Sequence, residues 1–227
     1  MPKVSLELLI KKGLSCLGYQ ISQIPVAVWK NDARFQGAMK EILGFTLVDT
    51  TRCYMLYQFA RQATLLPGNA AEVGVYKGGT ARLIGKTLAG TGKTLHLFDT
   101  FAGMPDTDAV RDHHKQGDFA DSSMGLVEAN LVGIEKLAFH QGFFPETAKG
   151  LEAERFCFVH VDVDIHQSAA AACEFFYPRL ERGGVLVFDD YGLPSCPGLK
   201  LAVDDFFARK PEKPTYLPTG QAVVLKS

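Results

Sequence analysis

Beyond Pro67-Gly68 the chain settles into a repeating order: a short, mostly apolar run, a segment of helical spacing, then another apolar run. "AAEVGVY", "TLHLFDTF", "KLAFHQGFF", "FCFVHVDVD" and "VLVFDDYG" read as five strands. Such strands keep no polar face for water, so each must be covered on both sides. A parallel sheet between two helix layers meets that need. "GGTARLIGKTLAG", "SMGLVEANLVG" and "HQSAAAACEFFYPRLERGG" carry apolar residues three and four apart and end near glycine, as crossover helices do. "FPETAKGLEAE" reads as a short helix. "PGLKLAVDDFFARK" opens with proline at the helix start, and "PTYLPTG" with "QAVVLKS" reads as a closing strand pair around Gly220.

Residues 1–66 lack this alternation. "RFQGAMKEILGF" and "RCYMLYQFARQATLL" have helical spacing, so the expected division is a helical extension or cap over 1–66 and an α/β domain over 67–227. A chain of 227 residues with 47% hydrophobic residues can bury one large core. Its net charge of -1 gives no reason to expect nucleic acid or an anionic membrane as partner. No apolar run approaches the roughly 20 residues of a membrane span. The stretch over 1–25 is mildly amphipathic, is interrupted by Lys11 and Lys12, and reads as mature protein rather than a signal peptide. Five cysteines without a CxxC pair suit reduced thiols in a cytoplasmic protein.

Acids stand at the ends of the strands. Asp99 closes the second, Asp162 the fourth, and Asp189 with Asp190 the fifth; Asp164 follows just beyond Asp162. In a parallel sheet the carboxyl ends of the strands face one rim, where ligands bind. Buried carboxylates are costly unless paired or bound to a metal. A hard divalent cation such as magnesium takes a few carboxylates, and Asp162, Asp189 and Asp190 on neighbouring strands form the expected set. The bland alternative is solvated acids and helix caps, with Asp164 capping the helix near His166. His160 reads as a hydrogen-bonded core histidine, and His166 as either a helix-start or an active-site residue. His113 and His114 lie in the polar stretch 103–123, a long surface loop of the kind that serves as a lid.

The turn after the first strand, "AEVGVYKGGTA", carries Gly74, Gly78 and Gly79, which let the backbone turn tightly and approach a ligand. The amides at the following helix start favour an anion. Tyr76 stands where a dinucleotide-binding turn would have glycine, and Glu72 would repel a pyrophosphate. An acid there suits an ammonium group. S-adenosylmethionine carries an ammonium, a carboxylate and a sulfonium, and Asp99 is placed to accept its ribose hydroxyls.

Taken in order, "AEVGVYKGGTA", "LHLFDTFAGMP", "HKQGDFADSS", "FHQGFFPET", "FVHVDVDIHQS", "GGVLVFDDYG" and "CPGLKLAVDDFF" closely resemble the macrocin O-methyltransferase (TylF-type) family over about residues 45 to 210. The resemblance implies a class I methyltransferase (Rossmann-like) fold: a seven-stranded, mostly parallel sheet with its last strand antiparallel and helices on both faces. It implies methylation of a sugar hydroxyl, notably on antibiotic glycosides, with S-adenosyl-L-methionine and Mg2+. Carried over position by position, Glu72, Gly74 and Gly78, with Tyr76 in the same turn, would hold the methionine part. Asp99 would bind the ribose, Ser123 and Gln141 would lie on the adenine side, and Asp162, Asp189 and Asp190 would hold the metal. The chain has "DIHQS" where members often have "DIYQS", which puts His166 near the acceptor side, and "ADSS" where they often have "ADTS".

On this reading a metal orients the acceptor oxygen and a base removes its proton. Asp162 is the first choice of base, with Asp164 and His166 as alternatives. The expected partners are a glycoside or sugar acceptor and a second copy of the chain in a dimer. Three rivals stand beside it: a catechol-type phenolic O-methyltransferase, a nucleotide-sugar glycosyltransferase that would use "DVD" as its metal motif, and a non-catalytic binding module.

Overall fold

The computed structural model describes residues 6–16 and 27–227 and divides into two compact units, Met1–Ala33 and Arg34–Ser227. The first holds α1 (Leu6–Ser15) and a 3-10 turn at Val28–Asn31. The remainder of the N-terminal stretch read over 1–25 lies outside the described residues. No helix of the described residues is long and apolar enough to cross a membrane, and all five cysteines are unpaired thiols.

The second unit is entered through α2 (Ala33–Ile42) and α3 (Thr50–Ala63). Asp49 caps α3, its side chain accepting from the backbone of Thr51 and Arg52 as an acidic N-cap does. Leu56, Ala60 and Ala63 of α3 then pack into one cluster with Phe158, Val185 and Val187 of the sheet. The expected boundary at residue 66 therefore does not coincide with a division in the packing. The α3 sequence that reads as a separate cap is part of one helix layer.

Seven strands follow: β1 (Asn69–Val73), β2 (Leu95–Asp99), β3 (Leu137–Gln141), β4 (Phe156–Val161), β5 (Leu180–Phe188), β6 (Thr215–Tyr216) and β7 (Ala222–Leu225). Their spatial order is β3-β2-β1-β4-β5-β7-β6, and only β7 runs antiparallel to its neighbours. The connecting helices are α4 (Gly79–Leu88), α5 (Met124–Asn130), α6 (His166–Phe176) and α7 (Pro197–Phe207). Alternate strand residues divide between two cores. Ala71, Val73, Val159 and Val161 pack with α6 and α7, whereas Ala70, Leu97 and Phe158 pack with α3, α4 and α5. The expected α/β architecture and its antiparallel closing strand are both present.

Two local expectations differ. "FPETAKGLEAE" forms only a 3-10 turn at Glu146–Ala148. The helix read through Gly184 stops at Phe176; a 3-10 turn over Tyr177–Arg179 contains Pro178, and β5 already begins at Leu180. Proline lacks the amide that an α-helix needs, and Gly183 instead donates its amide to Lys226 on the β7 side.

Candidate active site

The carboxyl ends of β1, β2, β4 and β5 open into one cleft of about 270 Å³, lined also by residues 45–48, Arg52, and parts of the loop between β2 and α5. Gly74 makes the cleft possible. Its φ is +85°, and a Cβ there would lie 1.8 Å from the carbonyl oxygen of Asp162, so only glycine lets β1 turn against the end of β4. Gly78, φ +85°, stands at the start of α4. The β2 terminus braces this turn. Asp99 Oδ2 accepts from the amides of Val75 (2.6 Å) and Tyr76 (3.0 Å), and its Oδ1 accepts from the amide of Phe101 (2.7 Å).

Beneath the turn runs a buried polar chain. Glu72 and His160 face each other in register on β1 and β4. Glu72 Oε1 lies 2.8 Å from His160 Nδ1, and His160 Nε2 lies 3.4 Å from Asp189 Oδ1, all three side chains having no exposure. Gln221 donates to the same Asp189 oxygen at 2.7 Å. Arg52 Nη1 donates to Asp189 Oδ2 (2.5 Å) and to Asp190 Oδ1 (3.0 Å), while its Nε bonds the capping Asp49. Burial opposes the charge on His160, but the neighbouring Asp189 and Glu72 carboxyls outweigh it and raise the ring to about 9. Burial pushes Glu72 up against the opposing pull of His160. Burial acts on Asp189 too, yet His160 and Arg52 together hold it below the usual carboxylate range.

The other acids carry less compensation. Carboxylate oxygens of Asp162, Asp164 and Asp190 lie within 4.8 Å of one another. Burial, then the charges of Asp190 and Asp189, drives Asp162 well up; burial and Asp190 raise Asp164 to about 7. Asp164 holds a left-handed backbone, φ +59°, and Cys196 Sγ donates to its Oδ1 at 3.2 Å. Two buried carboxylate oxygens, Glu72 Oε2 and Asp190 Oδ2, have no hydrogen-bond partner among the described residues. Such atoms are expensive to leave unmatched. A cationic group beside each would match it: an ammonium for Glu72, and a divalent cation for the acid cluster, whose oxygen donors suit a hard ion.

The expected site residues divide. Gly74, Tyr76, Asp99, Asp162, Asp164, Asp189 and Asp190 line the cleft, and Glu72 and Gly78 stand beneath and beside its turn. Ser123 does not line it. It caps α5 by accepting from Leu126, and the neighbouring Ser122 lines the cleft, its Oγ donating to the carbonyl of Tyr76. Gln141 is exposed at the end of β3, while Gly142, Phe143 and Phe144 line the wall. His166 is not a lining residue. Its amide donates to Asp112 of the loop, so Asp112, rather than Asp164, caps α6. His114 of the loop, whose alternatives from sequence are a solvated residue or a substrate contact, lines the cleft, and so does Arg52, which was not among the expected site residues. The acidic cap before α3 was the available sign for Arg52, since Asp49 holds both its amide and its side chain.

A family model described as macrocin-O-methyltransferase (TylF) matches residues 17–214. The chain belongs to the macrocin-O-methyltransferase family. It is an O-methyltransferase, which sets aside the glycosyltransferase and the binding-module alternatives. Among curated relatives, the 8-demethyl-8-(2,3-dimethoxy-alpha-L-rhamnosyl)-tetracenomycin-C 4'-O-methyltransferase of Streptomyces olivaceus is 29% identical, over 88% of this chain and 84% of that protein. The mycinamicin III 3''-O-methyltransferase of Micromonospora griseorubida is 27% identical, over 86% and 87%. Among solved structures, that of the O-methyltransferase NovP shares the fold with a TM-score of 0.70 and 22% identity, over 81% of this chain and 82% of that one.

Proposed function

We propose that this chain transfers a methyl group from S-adenosylmethionine to a sugar hydroxyl of a glycosylated small molecule, with magnesium as its metal. The observation that carries the reading is the close approach at Gly74, which brings the end of β1 against Asp162 of the acid cluster, where Asp190 Oδ2 has no hydrogen-bond partner among the described residues. The relatives' names support the acceptor class, since one specifies a rhamnosyl compound.

S-adenosylmethionine supplies an electrophilic methyl group on a sulfonium centre. Glu72, buried beneath the turn, would offer its charge to the cofactor's ammonium, the amides at the start of α4 would suit its carboxylate, and Asp99 would serve the ribose while bracing the turn. A bound magnesium ion would supply Lewis-acid charge to the acceptor hydroxyl. Asp162 and Asp190, common to the set expected from sequence and to the cluster in the cleft, would hold it. Asp189 is committed to Arg52, His160 and Gln221 and keeps the cluster in place. Asp164, facing the cleft, accepts the hydroxyl proton as the O–H and S–CH3 bonds break and the O–CH3 bond forms. Gly103, Met104, Pro105, His114, Phe119 and Ser122 of the loop line the cleft and limit water around the reacting groups.

The test is methyl-labelled cofactor offered with a panel of glycosides and phenols, with and without chelator. Label on a sugar oxygen, lost on chelation and restored by magnesium, is the expected result. Preference for a phenol over every glycoside refutes the acceptor class, and full turnover in chelator refutes the metal.

A further inference from the structure

The loop between β2 and α5 is fastened at a defined place. Asp112, 6% exposed, accepts from the amide of His166 at 2.8 Å and from that of Asp108 at 3.0 Å. A Cβ on Gly198 of α7 would come within 2.0 Å of Asp112 Oδ1, so glycine there leaves room for the carboxylate. This anchorage sets His114 of the loop beside two connections at the carboxyl rim of the sheet. One carries Asp164, between β4 and α6, and the other Cys196, between β5 and α7.

Three different ligand atoms meet there. A ring nitrogen of His114, an oxygen of Asp164 and the sulfur of Cys196 all lie within 4.8 Å of one another. His114 Nε2 is 3.9 Å from Asp164 Oδ1, and Cys196 Sγ is 3.2 Å from the same oxygen. A tetrahedral zinc ion holds nitrogen and oxygen at about 2.0–2.2 Å and sulfur at about 2.3 Å, which separates its ligand atoms by roughly 3.3–3.6 Å. The two observed separations fall on either side of that range, each within about half an ångström of what the ion needs.

A thiol–carboxylate hydrogen bond explains the contact between Cys196 and Asp164, but not the imidazole that joins them. The far nitrogen of that imidazole is also held: His114 Nδ1 lies 3.1 Å from Asp118 Oδ2. A carboxylate on the far nitrogen is the usual companion of a metal-ligating histidine, because it fixes the ring's orientation. Cys196 is 1% exposed and stands at the N-cap of α7, yet its side chain makes no capping bond, so the sulfur is not committed to the helix backbone. The donor set also differs from that of the acid cluster. Asp162, Asp164 and Asp190 offer only oxygen, which suits a hard ion; nitrogen and sulfur beside one carboxylate suit a borderline-soft one.

We propose that His114, Asp164 and Cys196 form a second cation site, for zinc or an ion of its class, with three protein ligands and an open fourth position. On binding, the Cys196 thiol gives its proton to solvent and ligates as the thiolate. The filled site ties the loop to the connections after β4 and β5. It also occupies Asp164, so zinc inhibits methyl transfer; this last consequence alone rests on the role given to Asp164 in the transfer.

The probe is cobalt(II), because a thiolate ligand gives it a charge-transfer band in the near ultraviolet that nitrogen and oxygen ligands do not. The titration is run in excess magnesium, which fills the acid cluster. The wild type develops the band and zinc removes it. Cys196→Ser, which keeps a hydroxyl donor for Asp164, does not develop it. Cys16→Ser does, which sets aside the exposed thiol. His114→Ala weakens cobalt binding about tenfold or more, since even residues that only orient a metal ligand cost about 10–100-fold. Hydrogen exchange over residues 103–123 slows when zinc is added to the wild type and not when it is added to Cys196→Ser. Zinc lowers turnover of the wild type in excess magnesium, and Cys196→Ser resists it. Absence of the band, a band that survives in Cys196→Ser, or undiminished affinity in His114→Ala overturns the site, whatever the acceptor is. A band that depends on Cys196, with turnover unchanged by zinc, overturns the inhibition alone. A chain without turnover on any acceptor fails the methyl-transfer reading and leaves the cobalt result to decide the site.

Discussion

Replacing Arg52 by methionine tests the electrostatic design of the site. Methionine is a good helix former of comparable length, so α3 and the stem packing of residue 52 persist. What disappears is the guanidinium between Asp189 and Asp190, whose side chains are 0% and 7% exposed. Removing one partner from a buried ion pair costs about 3–5 kcal/mol. The present case falls toward or below the lower end, about 2–3 kcal/mol, because Asp189 keeps His160 and Gln221 and Arg52 is itself 12% exposed. The lost bond to Asp49 adds little, since Asp49 is 58% exposed and solvent screens the pair. For a unit of this size each kcal/mol moves Tm by about 2–4 °C, so Arg52→Met melts roughly 4–12 °C below wild type in chelator. Magnesium acts in the opposite direction. A ligand that binds only the folded state stabilises it, and the variant presents its acids without a competing guanidinium. The gap between the two proteins therefore narrows as magnesium is added. Calorimetry in chelator and across a magnesium series measures both effects. A variant within about 2 °C of wild type in chelator refutes the claim that Arg52 neutralises these acids, and a gap independent of magnesium refutes the claim that they hold a cation.

Gly74→Ala meets the Asp162 carbonyl at 1.8 Å on a positive-φ residue, so it costs more than about 3 kcal/mol and abolishes binding of S-adenosylhomocysteine, read by thermal melting and calorimetry. Asp112→Ala frees the loop from α6 and α7, so hydrogen exchange accelerates over residues 103–123 while the strands keep their protection. Burial holds His96 and His140 below the ordinary histidine value. As pH falls through about 6.5 the unfolded chain therefore takes up protons that the folded chain refuses, and stability declines toward acid; His96→Phe flattens that decline in urea midpoints measured from about pH 7 to about pH 5.

Sequence reading succeeded where structure follows from local pattern. The run "FCFVHVDVD" has apolar residues on both sides, which only a covered parallel strand can accommodate, and β4 is fully buried over Phe156–Val161. The glycines of "AEVGVYKGGTA" announced a turn, and the acids at strand ends announced a rim. The boundary at residue 66 failed because α3 has ordinary helical spacing, and nothing local reveals that Leu56 and Ala60 pack on strands more than a hundred residues later. Ser123 and Ser122 show the limit at single-residue scale. Both are small hydroxyl residues before a helix, and only cap geometry decides that Ser123 serves the backbone of α5 while Ser122 turns to the cleft.

The polar chain beneath the cleft was illegible for a different reason. Glu72 and His160 both break apolar runs; the sequence reads the first as a cofactor ligand and the second as a hydrogen-bonded core histidine, without showing that they pair. Their meaning depends on strand order: β1 lies beside β4 in a register that places residue 72 opposite residue 160, and β5 lies beside β4 so that Asp189 reaches the other ring nitrogen. Strand neighbours in a crossover sheet are not sequence neighbours, so no periodicity carries this information. Once the order is known, the chemistry follows from charge. Two buried acids flanking one imidazole raise its hold on a proton, the second acid meets a further cation, and α3 supplies Arg52 from the layer packed against β4 and β5. The same reasoning separates Asp189 from Asp190. One is consumed by internal partners, whereas the other keeps an unmatched oxygen on the cleft side. A pair of adjacent aspartates that looks redundant in the sequence is thereby divided between holding the protein together and meeting its ligand.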